Sequence, residues 1–237
     1  MNCEKNIYRP RLQDFVCFRG VSFYCLRDSI GPSPAWFVDD AKKGLKGDFI
    51  AGGESAWGAI LADQKQILFF AGEADHRDIY AGLKASGFSD LDVLGFYVAR
   101  QIPQWVRERE NREGLLERKT PAFLASNCQV FAVKPCPTLA EVQVWYREKN
   151  GQELSSEVPT YAMAPIHDGQ MYTQKISSVV GDIRDRFTLG VIERLLQQFR
   201  RVGVIYGAGH FVTLRKSFDS ELGPPVLKFL PELQQVQ

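Results

Sequence analysis

Two of the three histidines stand where an apolar run meets a helical pattern, and glycine precedes each of them. In QILFFAGEADHRDIYAGLKASG the run Ile67–Ala71 gives way at Gly72, and His76 opens the helical stretch. In RRVGVIYGAGHFVTLRKSF the run Val202–Tyr206 ends in Gly207, Ala208 and Gly209, and His210 follows. Glycine lets backbone approach a ligand or take a positive φ without steric cost. Exposed amides at a helix start disfavour imidazolium, so each ring is expected to be neutral, and a neutral imidazole can bind a metal or accept a proton. Glu73 and Asp75 add carboxylates beside His76 that could complete a metal site, orient an imidazole, or act as general acid or base.

The same residues have a plainer reading. A glycine turn between strand and helix is common, and a histidine at a helix start can be a polar cap. Two such corners in a chain with three histidines favour a shared site of Glu73, His76 and His210, lined by Gly72, Asp75, Gly207 and Gly209. His167, in APIHDG, reads as a loop histidine, and Arg77 as a surface residue. Two readings stay open for the arginines of IRDRF. Asp182 and Asp185 either cap a helical segment, with Arg184 and Arg186 as ion-pair partners on a solvated face, or Arg184 points inward and presents its planar fork to a carboxylate. In the second case Arg186 joins the substrate-binding set.

Such corners need elements to carry them. In an open α/β sheet, ligands gather outside the carboxyl ends of the strands. The pattern predicts a strand pair over Asp14–Arg27 turning at Arg19-Gly20, short helices over Pro34–Gly44 and Glu54–Ala62, and a buried strand over Ile67–Ala71. A helix with Ile79, Tyr80 and Leu83 inward follows and stops at Gly87. Leu91–Arg100 reads as a further strand and Pro103–Lys119 as an exposed helix. Thr138 and Glu141 have the spacing of a capping box before a helix with Leu139, Val142, Trp145 and Tyr146 on one face and Gly151 after it. A long helix runs from Ile176 to Phe199, then a buried strand over Val202–Tyr206, then a last helix carrying Phe211, Leu214 and Phe218 and closed by Gly223. The expected fold class is therefore α/β: a central mixed, mostly parallel sheet flanked by helices, as one domain over residues 1–237. Residues 1–50 have no assigned part in it, and neither does the 88–170 region.

Composition removes some classes of function. Twenty-nine basic against twenty-eight acidic residues leave a formal charge of +1, so no global field recommends nucleic acid or an anionic membrane as partner. Tyr97, Trp105, Trp145 and Tyr146 read as core, since no interleaved basic stripe makes them a base-stacking platform. Cys3, Cys17, Cys25, Cys128 and Cys136 are odd in number and lack a Cys-x-x-Cys pair, which reads as reduced thiols in a cytoplasmic setting. The chain shows no apolar leader and no membrane-length run. A small molecule or a peptide is the expected partner; oligomeric state is not readable.

The segment IRDRFTLGVIERLLQQFRRVGVIYGAGHF resembles the end of the Tiki/TraB proteins, and GEADH resembles the Gly-Glu-x-x-His element of the erythromycin esterases, which share a broader superfamily with haem-binding lipoproteins. The resemblance spans residues 66–87 and 173–223. It implies an α/β fold with two histidines and a glutamate in one pocket, where Tiki proteins carry out metal-dependent peptide hydrolysis and the esterases activate water through histidine. Glu73 and His76 match the first element, Gly207 and His210 the second, and Arg184 the arginine before the helix. The first corner departs from the Tiki form Gly-x-x-His by one added residue. Metal-dependent and metal-free forms thus both stay open, with Glu73, His76 and His210 as ligands of a divalent ion (Mn, Co or Zn) in the former. A second histidine cluster of the esterase kind is lacking, so macrolide hydrolysis is not implied.

The sequence thus predicts a hydrolase in which His76 or Glu73 takes a proton from water while His210 and Arg184 hold a peptide or ester carbonyl. The alternatives are a non-catalytic binder of metal, haem or a small acid in the same pocket, and an interaction or toxin-accessory domain that keeps only the fold.

Overall fold

Local helix signals organise most of this chain. The computed structural model describes residues 16–18, 45–46, 49–50, 53–72, 74–107, 111–166, 168–205 and 208–223. In chain order the elements are β1 (Val16–Phe18), β2 (Leu45–Lys46), β3 (Phe49–Ile50), α1 (Gly53–Gln64), β4 (Phe69–Ala71) and α2 (His76–Ala85). They continue with α3 (Asp90–Arg107), α4 (Leu115–Phe131), α5 (Leu139–Asn150), a 3₁₀ turn (Thr160–Met163), α6 (Tyr172–Gln198), β5 (Gly203–Val204) and α7 (Ala208–Leu222).

The predicted central α/β sheet is not what the chain builds. The described residues are mostly helical, and their strands are two or three residues long. Three of them lie in the order β4-β1-β5, with Val16 opposite Gly203 and Cys17 opposite Val204 in parallel, and β2 and β3 form a separate antiparallel pair. Two expected strands account for much of the difference. Leu91–Arg100 lies inside α3, where Val93, Leu94, Phe96, Val98 and Ala99 are all fully buried. A helix covered all round loses its amphipathic period and reads as a continuous apolar run, like a buried strand. Val202–Tyr206 yields the two-residue β5, and Val204 is 38 % exposed rather than buried. The helix expected over Pro103–Lys119 is divided, since Pro103 belongs to α3 and α4 begins at Leu115. The hairpin turn at Arg19-Gly20 and the helix over Pro34–Gly44 lie outside the described residues.

The chain forms two compact units. One takes the described parts of Met1–Arg19, Ser33–Phe70 and Leu195–Gln237, the other those of Ala71–Arg194. In the first, α1 packs on β1 and Phe70 meets Phe199 at 6.3 Å between ring centroids.

The second unit is helix on helix. Leu83 of α2, Phe96, Val98 and Ile102 of α3, Leu115 of α4, Tyr146 of α5 and Ile176 of α6 share one core. Its helices begin and end on local chemistry. Thr138 and Glu141 form the expected capping box at α5, and Gly151 ends that helix at φ 68°. Gly87 follows α2 at φ 90°, a conformation open to glycine at little cost. At α3, Ser89 and Asp92 bond reciprocally: the Ser89 amide and hydroxyl donate to Asp92 Oδ2 at 2.8 and 2.6 Å, and the Asp92 amide donates to Ser89 Oγ at 3.1 Å. Trp145 Nε1 of α5 donates to the other Asp92 oxygen at 2.8 Å, so one buried carboxylate joins two helices.

Helix α4 ends at Ala132, in the left-handed region at φ 57°, with its amide bonded back to the helix. The chain then returns and Cys136 bridges to Cys128, which corrects the expectation of five reduced thiols. Among the described residues no helix is long and apolar enough to cross a membrane.

Candidate functional site

The corner after β4 is the part of the predicted site that the second unit assembles. Gly72 is buried, and its carbonyl accepts a 2.8 Å hydrogen bond from Thr188 Oγ1 of α6, a residue 116 positions along the chain. Helix α2 starts immediately beyond. Asp75 is its N-cap, with Oδ1 accepting from the Arg77 amide at 2.7 Å, and His76 is its first residue. The capping bond satisfies one of the amides left over at a helix start, so Asp75 positions the corner. His76 is solvent-exposed, and its ring meets that of Tyr97 of α3 in a T-shaped contact at 6.1 Å between centroids.

Helix α6 holds the carbonyl side of this corner. Its polar residues recur at helical spacing: Thr173 donates to the Ala162 carbonyl at 2.6 Å, Ser177 to the Met163 carbonyl at 2.7 Å, and Thr188 to Gly72. Arg184 lies on the same helix and is 8 % exposed. Of the two readings the sequence left open, the solvated-face one therefore fails for Arg184. Arg186 is exposed, with Nε donating to the backbone carbonyl of Asp182 at 3.2 Å, and Asp182 and Asp185 lie within α6 rather than at its cap. Close approach of α2 to α6 is possible because Gly82 has no side chain; a Cβ there would stand 2.6 Å from Ile183 Cδ1.

Tyr97 sits beneath this corner. It is 7 % exposed, and its ring packs on Phe131 at 5.8 Å, while Tyr80 of α2 stacks on the other contact of Phe131 at 4.6 Å. The Tyr80 hydroxyl donates to Asp90 at 2.6 Å, and Lys84 pairs with the same carboxylate at 2.7 Å. Burial, then the Asp90 bond, pushes the Tyr80 phenol up to about 12. Burial also pushes Tyr97 up to about 12, partly opposed by the positive charges of Arg100 and Arg184. Unlike Tyr80, the buried Tyr97 hydroxyl has no hydrogen-bond partner among the described residues.

Of the predicted set, Gly72 is tied through Thr188 to α6, the helix that also carries Arg184, and His76 lies against Tyr97 of α3. Asp75 is spent on capping, and Arg186 faces solvent. Glu73, Gly207, His167 and the His210 side chain lie outside the described residues; Gly209 and the His210 backbone belong to α7 in the first unit. Tyr97 is the residue sequence reasoning passed over, because an aromatic in an apolar run carries no mark that its hydroxyl will lack a partner. The polar stripe of α6 was a readable signal: Thr173, Ser177, Arg184 and Thr188 interrupt the apolar period at spacings of four, seven and four.

No three His, Cys, Asp or Glu side chains are grouped to hold a metal among the described residues. An open groove of about 580 Å³ between the start of α3 and α5, lined by Leu91, Val144, Trp145 and Glu148, contains none of the predicted residues. What the corner offers chemically is an exposed imidazole beside a buried phenol, on a turn tied to the helix that carries a buried guanidinium. That combination suits a ligand oxygen that carries or develops negative charge. Comparison of the chain with protein-family models, with curated proteins and with solved structures finds no match.

Proposed function

We propose that the protein is a hydrolase acting on a small ester or peptide carbonyl at the Gly72–His76 corner. The observation that carries this reading is the buried bond from Thr188 to the Gly72 carbonyl. It ties the histidine corner to α6, on which the buried Arg184 stands four residues before Thr188 and so on the same helix face. The choice of hydrolysis comes from the resemblance of GEADH and of RDRF…GAGH to the Tiki/TraB and erythromycin-esterase elements, although the α/β fold that resemblance implies does not form.

The chemistry follows from the groups in place. His76 removes a proton from water as its oxygen bonds to the carbonyl carbon. The carbonyl electrons move to oxygen, where the guanidinium of Arg184 offsets the charge, and collapse returns the His76 proton to the departing alcohol or amine. Arg184 suits the role because its charge persists across the working pH range and its fork fixes orientation. Glu73 joins the proposed set by the resemblance, with a divalent ion in its metal-dependent form. The described donors are not grouped for a metal, so no step is routed through one.

A panel of chromogenic esters and quenched peptides tests this directly. Turnover by the full chain, reduced at least about a hundredfold in His76→Gln with an unchanged melting temperature, is the expected result. No turnover across the panel refutes it. A second reading, a non-catalytic binder of small acids, is favoured by one observation, the burial of Arg184; it predicts carboxylate binding without turnover.

A further inference from the structure

We infer that the Cys128–Cys136 bridge is a thiol-exchange switch: an external dithiol enters at Cys136, and opening the bridge loosens the end of α4 that backs the histidine corner. The switch acts on the ring of His76 whether or not the corner hydrolyses anything, so it does not depend on the hydrolase reading.

The two cysteines are unequally placed. Cys136 is exposed, as are Ala132, Lys134 and Pro135 before it, whereas Cys128 is 6 % exposed within the core. Exchange requires a thiolate to reach a disulfide sulfur, and access decides which one is attacked. A thiolate of the dithiol bonds to Cys136 Sγ as the bond to Cys128 breaks, and the electron pair leaves on Cys128, which takes a proton from water. The second thiol of the reagent then displaces Cys136 from the mixed disulfide. The protein ends with two thiols and the reagent with a disulfide.

The bridge also fastens the loop to the helix. The Ala132 amide bonds back to α4, the Val133 amide donates to the Cys128 carbonyl at 2.9 Å, and Thr138 opens the capping box of α5. In between, residues 134–137 make no hydrogen bond among the described residues, which leaves the disulfide to tie them down. Phe131, the last residue of α4, lies in the turn that Cys128 anchors and is buried. Its ring stacks on Tyr80 of α2 at 4.6 Å and on Tyr97 of α3 at 5.8 Å, and Tyr97 meets His76 at 6.1 Å. One ring thus joins the end of α4 to the helix that His76 opens and to the tyrosine against which His76 lies. Helix ends open at lower free energy than helix interiors, so loss of the cross-link acts first on this last turn.

The test is reduction of the oxidised full chain by dithiothreitol under native conditions, followed by peptide mapping, thermal melting and the imidazole proton signals of His76, assigned with His76→Gln. The rate should rise in proportion to dithiothreitol concentration, as for attack on an accessible bridge in the folded chain. The reduced protein should keep its helical circular dichroism, melt roughly 5–10 °C lower, and show shifted His76 signals that return on reoxidation. Cys136→Ser should show the shifted signals from the start and no response to the dithiol, which separates the bridge from Cys3, Cys17 and Cys25. A rate independent of dithiothreitol concentration overturns entry at Cys136, because opening of the fold would then limit reduction. Unchanged His76 signals or an unchanged melting temperature overturn the switch. Loss of the helices on reduction overturns it too, since the bridge would then be a structural staple only, and absence of the Cys128–Cys136 bridge from the oxidised chain overturns both parts.

Discussion

Gly95→Ala puts the packing of the second unit to a severe test. Gly95 lies in α3 opposite the indole of Trp145, and a Cβ built on it would stand 2.4 Å from Cε3, 2.5 Å from Cζ3 and 2.8 Å from Cδ2. Ordinary contact begins at 3.4 Å, so the ring would have to retreat by about 1 Å, beyond what a packed core absorbs without strain. Trp145 is 4 % exposed, and its Nε1 is bonded to Asp92 at 2.8 Å. Asp92 is in turn fixed by two bonds from Ser89. Overpacking costs about 1–3 kcal/mol, and loss of a hydrogen bond to a carboxylate about 1.5–3 kcal/mol. Alanine returns about 1 kcal/mol through helix propensity. The net is a loss of about 1.5–5 kcal/mol, or a fall of roughly 3–20 °C at about 2–4 °C per kcal/mol. Gly190→Ala in α6 is the matched control: a Cβ there meets nothing within 4 Å among the described residues, so only propensity acts and stability should rise by up to about 1 kcal/mol. Urea unfolding of both variants, with midpoints compared at constant slope, checks the pair. Gly95→Ala as stable as wild type would refute the argument that the indole is pinned.

Acid should weaken the same contact. Burial alone would raise the Asp92 carboxyl, but hydrogen bonds from Ser89 and Trp145, with Lys149 near by, outweigh it and hold the group below the usual carboxylate range. Its contribution is therefore complete above the unfolded carboxyl range near pH 4 and is lost as pH falls through the lower folded value. Asp92→Asn should cost about 1.5–3 kcal/mol at pH 7, with the gap from wild type narrowing below about pH 4, as measured by urea unfolding across that range. Thr188→Val keeps the shape but leaves the buried Gly72 carbonyl unbonded. It should cost about 1–3 kcal/mol and lower kcat/KM at least about tenfold by misplacing the corner; full activity would show that the bond does not position the site.

Signals that act within one turn of chain were legible. Thr138 and Glu141 announce α5 because both halves of the capping box are local, and Gly87 and Gly151 end helices where only a positive φ closes the turn. Burial on all sides was not legible: Asp92–Ala99 has no exposed residue to impose a period of 3.6, and taking Leu91–Arg100 for a strand supported a central sheet that does not form. The Cys128–Cys136 bridge escaped notice because it depends on the reversal at Ala132, which brings the two Cα atoms to 5.8 Å. For the site, His76 at a helix start followed from the glycine and the period, and Gly72 as the corner followed with it. The side of α6 on which Arg184 falls required tertiary packing, as did the missing partner of Tyr97.

The claim that the corner and α6 make one reacting site is tested most directly by a double-mutant cycle on kcat/KM, using His76→Gln, Arg184→Lys and the pair with an ester that wild type hydrolyses. Residues that act as one unit are not additive, so each single variant should lose most of the activity and the pair should be little worse than the poorer single. Losses that multiply as for independent groups, a single variant with full activity, or a wild type that turns over no ester or peptide would contradict the account.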